Sequence, residues 1–119
     1  MEGISQILKK AKPGILIVDD SEDILDYLSH DMEKNYIVHT ARNGNEALAI
    51  LQQEFIQLVV SDVMMPAVDG FELCEKIKFT LELSHIPIIL LTAKNTLQSR
   101  IQGLKAGAVG EVGAGEILQ

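Results

Sequence analysis

Three short apolar runs in this chain end in oxygen-bearing side chains. Ile15-Leu16-Ile17-Val18 runs into Asp19-Asp20, Leu58-Val59-Val60-Ser61 into Asp62, and Pro87-Ile88-Ile89-Leu90-Leu91 into Thr92. Each group has a plain structural use. Asp20 or Ser21 suits a helix cap, Asp62 suits the start of a turn before Pro66, and Thr92 suits a cap for a helix starting near Asn95. Brought together, they have a chemistry. Three crowded carboxylates raise the cost of ionising one another. A hard divalent cation such as Mg²⁺ relieves that cost with oxygen ligands and retained water. A carboxylate beside such a cation can attack phosphorus and form an acyl phosphate, and a nearby hydroxyl can hold a phosphoryl oxygen.

The elements needed to bring them together are legible. The three runs lack polar alternation, as strands covered on both faces do. Tyr36 to Thr40 reads as a further strand. Ile24, Leu25, Leu28 and Met32 recur at helical spacing, which predicts a helix over about 21–33. Asn43-Gly44-Asn45 marks a turn or cap before a helix carrying Ala47, Leu48, Ile50 and Leu51. Asp69-Gly70 opens a third helix with Phe71, Leu73, Cys74 and Ile77. Leu97, Ile101, Leu104 and Ala108 mark a fourth. The order β-α-β-α-β-α-β-α predicts an α/β doubly wound parallel sheet with helices on both faces. In such sheets the strands' carboxyl ends share one edge, where ligands bind at the topological switch point.

Composition narrows the function. At 119 residues the chain makes one domain with a sizeable core. A formal charge of −7 argues against direct nucleic-acid binding, which selects basic surfaces. No run is long and apolar enough for a membrane span, and the first twelve residues lack a signal-peptide pattern. The single cysteine, Cys74, excludes an internal disulfide and suits a reducing cytoplasm. His30, His39 and His85 lack paired metal spacing, and Cys74 reads as a small core residue.

The chain resembles the receiver domain of two-component response regulators, as carried by bacterial hybrid sensor regulators. The likeness rests on Ile15 to Ser21, Asn43 to Leu48, Val59 to Pro66, Asp69-Gly70, Pro87 to Lys94 and Gly103 to Ala108. It implies a flavodoxin-like strand order 2-1-3-4-5 with five helices, and an output surface on the fourth helix, fifth strand and fifth helix. It implies that Asp62 accepts a phosphoryl group from a histidine kinase, in a phosphorelay, with Mg²⁺ as cofactor. Asp20 and Asp62 would ligate the metal directly, Asp19 through water, and the Met64 main-chain carbonyl would complete the protein's share. Thr92 and the backbone N–H of Ala93 would contact the phosphoryl group. Such a domain is not an enzyme; its chemistry is confined to its own phosphorylation and dephosphorylation.

The likeness stops after Ala108. The family continues with an aromatic residue and then a lysine, where this chain has Glu111 and Ala114. Glycines 110, 113 and 115 predict a weakened fifth strand, and the fifth helix is expected to be missing. The expected division is a linker over 1–13, the receiver domain over 14–108 and an atypical tail over 109–119, read as an altered or truncated terminus. Two consequences are expected. Without the lysine, phosphorylation is weak, and at the limit the domain is an interaction module that is not phosphorylated. Uncovered first and fourth helices favour a homodimer or domain-swapped oligomer. An aspartyl phosphatase of the dehalogenase type needs Asp-x-Asp after its first strand, and this chain has Asp19-Asp20-Ser21. A flavodoxin-like electron carrier needs a phosphate loop there, and two acids would repel the phosphate. The output domain is not named by the sequence.

Overall fold

The computed structural model describes residues 3–4, 12–92 and 97–113. Among the described residues five strands and four helices alternate: β1 (Gly14–Val18), α1 (Glu22–Met32), β2 (Ile37–Ala41), α2 (Gly44–Gln53), β3 (Leu58–Asp62), α3 (Gly70–Phe79), β4 (Ile88–Thr92), α4 (Leu97–Ala106) and β5 (Gly110–Gly113). The strands form one parallel sheet in the order β2-β1-β3-β4-β5. The doubly wound expectation is met, and β5 forms beside β4 across its two glycines. The expected missing fifth helix concerns residues 114–119, which lie outside the described residues.

The core has two layers. On one face Leu16, Val18, Val59, Ile88 and Leu90 pack beneath Ala47 and Leu51 of α2, Leu73, Cys74 and Ile77 of α3, and Ala106 of α4. On the other, Ile15, Ile17, Val60 and Leu91 meet Leu25 and Leu28 of α1. β1 is buried along its whole length, which explains its unbroken apolar run. Transfer of each such side chain from water contributes about 1.5–3 kcal/mol before chain entropy is counted.

Local signals fix the helix starts. Ser21, Asn43 and Asp69 are N-caps, accepting from the N–H of Ile24, Glu46 and Glu72 respectively. α4 ends before the expected Ala108, because Gly107 adopts φ +104 and reverses the chain. Ala108 still enters the core, from beyond the helix. β2 begins one residue later than the sequence suggests: the Tyr36 N–H donates to Met32 O, finishing the turn after α1.

Candidate functional site

Register places the acids. Val18 pairs with Ser61, so Asp19, just past β1, and Asp62, the last residue of β3, stand side by side at the carboxyl edge. β1 and β3 are neighbours at the point where the strand order reverses, the crevice where doubly wound sheets bind ligands. Carboxylate oxygens of Asp19, Asp20 and Asp62 all lie within 4.8 Å of one another. Asp19 is buried, Asp62 half-buried and Asp20 exposed.

The choice between cap and site is clear at the end of β1. Ser21 caps α1, which leaves both acids free for the site. Asp19 Oδ1 accepts from the Ser21 N–H at 2.8 Å, and the Asp19 N–H donates to Ala41 O at 3.0 Å. The buried acid is therefore held from both sides. Arg42 pairs with Glu22 across the same rim, while its own N–H donates to Glu46 Oε2.

Two residues outside the expected site support Asp62. Ser61, fully buried, donates its hydroxyl to the Asp62 carbonyl at 3.0 Å. Gly70 starts α3 against the end of β3: its N–H donates to Val63 O at 2.8 Å, and a Cβ there would collide with the Asp62 carbonyl oxygen. The Asp69-Gly70 pair is a visible turn signal in the sequence, but the contact it makes depends on tertiary packing. Between Asp62 and Gly70, Ala67 sits at φ 65, a left-handed conformation costing an L-residue about 1–2 kcal/mol. The loop carrying Met64, whose side chain is exposed, is thus pinned at both ends and strained at its centre.

Electrostatics follow from crowding. Burial pushes the Asp62 carboxyl up to about 6, with the Asp19 charge adding to the rise and the backbone N–H groups of Met64 and Val63 opposing it. Asp19 is also raised, by burial first and Asp20 after, against the Ser21 N–H. All-oxygen donors, two of them reluctant to ionise without a counter-charge, fit a hard divalent cation.

Other expected site residues stand as follows. Thr92 is the last residue of β4. Asp62 pairs with Leu91, so the Thr92 backbone lies one step beyond the acid on the neighbouring strand. Ala93, expected to offer its N–H, lies outside the described residues, as do Lys94 and Ala114. Asp69 is occupied as a helix cap, accepting from the Glu72 N–H.

A family model described as the response regulator receiver domain matches residues 15–113, and the chain belongs to that family. The chain is 40% identical over 102 residues to histidine kinase P4 of Formosa agariphila, covering 86% of this chain and 7% of that protein. Chemotaxis protein CheY4 of Vibrio cholerae superposes with a TM-score of 0.84 at 33% identity, covering 87% of this chain and 88% of CheY4. The BeF3-activated DrrB receiver domain gives 0.78 at 34% identity, over 90% and 91%. The chain spans less than half the length of the curated relatives it matches. It is a receiver domain of two-component signalling.

Proposed function

We propose that Asp62 is the phosphoacceptor of this receiver, and that it takes a phosphoryl group from a phosphohistidine of a histidine kinase. The observation that carries the reading is the triad of carboxylates within 4.8 Å at the carboxyl edge of β1 and β3. An Asp62 oxygen attacks phosphorus, the P–O bond forms, the P–N bond breaks, and its electron pair returns to the donor imidazole. Asp19, Asp20, Asp62 and the Met64 carbonyl would hold Mg²⁺. The ion, when bound, supplies positive charge toward the phosphoryl oxygens. Asp19, anchored by Ser21 and Ala41, keeps the donor set in place. Thr92 and the Ala93 N–H would receive phosphoryl oxygens on the β4 side. Activation of the related DrrB receiver domain by BeF3, a small anionic group, supports an anion-responsive site of this kind. The 40% identity to part of a histidine kinase supports carriage within a hybrid sensor, in the cytoplasm. The domain acts as a signalling module rather than as an enzyme, and other parts of the parent protein or a separate partner read its state.

Ala114 at the family's lysine position favours a second reading, an interaction module that is not phosphorylated. Labelling with acetyl phosphate separates the two. The first reading expects Mg²⁺-dependent gain of one phosphoryl group, lost in Asp62→Asn. It also expects a lower occupancy than in Ala114→Lys. No gain in this chain, beside a gain in Ala114→Lys, would establish the second.

A further inference from the structure

The amino edge of the sheet, opposite the acids, carries an apolar surface that packing does not require. Phe79, the last residue of α3, is 89% exposed, since it lies off the Leu73, Cys74 and Ile77 stripe that meets the core. Leu81, just beyond it, is 86% exposed, and Phe55, just beyond α2, is 77% exposed. Both helices run back against the strands, so their ends share this edge. Phe79 borders a groove of about 490 Å³ between α2 and α3, walled by Leu48, Gln52 and Leu83. Glu72, Glu75, Lys76 and Thr80 complete its lining.

We propose that this groove seats a second copy of the chain, with Phe79 of each copy filling the groove of the other. A two-fold contact sets a patch against itself, so the patch must be self-complementary. This one holds both a projecting ring and a hollow to receive it. It also holds both signs of charge, so Lys76 of one copy meets Glu72 and Glu75 of the other. A patch of one sign would repel its twin. None of Asp19, Asp20 and Asp62 lines the groove.

Sedimentation equilibrium of the full chain up to millimolar concentration tests the contact. A reversible dimer is expected, weakened about tenfold or more in Phe79→Asp. At concentrations where the chain is monomeric the melting temperature should not change, because the ring is exposed. Lys76→Glu should weaken the dimer, and the triple change Glu72→Lys, Glu75→Lys, Lys76→Glu should restore it. Leu104→Asp, on exposed α4, should leave it unchanged. A monomer at every concentration, or a dimer that survives Phe79→Asp, would overturn the proposal.

Discussion

At the residue scale, Asp62 and its neighbours set a proton balance that can be followed in the metal-free protein. The folded carboxyl is raised to about 6 against an ordinary value of 3.8, so between these pH values the folded state holds a proton that the unfolded chain has lost. Stability from this group is full below about pH 4 and is lost as pH rises through about 6. Urea unfolding in chelator should therefore show stability falling across that window, and Asp62→Asn should flatten the fall. Mg²⁺ selects the ionised form, so its affinity should drop as pH falls below about 6, measurable by calorimetry. Cys74 offers a contrasting case: burial pushes its thiol up to about 11. Iodoacetamide at pH near 8 should leave it unmodified in the folded protein and label it in urea. The acids themselves were legible in the sequence, since each ends an apolar run. Ser61 was not, because its role depends on a hydroxyl reaching the next carbonyl, a contact that no periodicity announces.

At the scale of elements, the loop from β3 to α3 decides whether Asp62 and Met64 are held in place. Gly70→Ala forces a Cβ onto the Asp62 carbonyl and should cost about 1–3 kcal/mol in chemical unfolding, with weaker Mg²⁺ binding. Ala67→Gly relieves the left-handed strain and should stabilise by about 0.5–1 kcal/mol. Equal or lower stability in Ala67→Gly would show that the loop is not strained there. Strand and helix positions were readable from apolar runs and from the caps at Ser21, Asn43 and Asp69. Their ends were less so. Ala41 joins β2 because β1 pairs with it in register, and α4 stops at Ala106 because Gly107 turns, not because its apolar spacing ends. β5 forms despite its glycines because the exposed edge of β4 offers a full row of backbone partners.

At the scale of the molecule, the two ends of the sheet present different surfaces. The carboxyl edge gathers acids, and the amino edge gathers exposed Phe55, Phe79 and Leu81. The first was legible because parallel topology follows from alternating elements and carries every strand end to one side. The second was not, since an exposed Phe79 looks like any other apolar residue until the helix faces are known. No described helix is long and apolar enough to cross a membrane. Whether Asp62, at the carboxyl edge, takes the phosphoryl group is read by intact-protein mass measurement after incubation with acetyl phosphate. The expected result is a gain of one phosphoryl group that requires Mg²⁺, disappears in Asp62→Asn and persists in Asp69→Asn. A gain that survives Asp62→Asn, or that forms equally well in chelator, would contradict it.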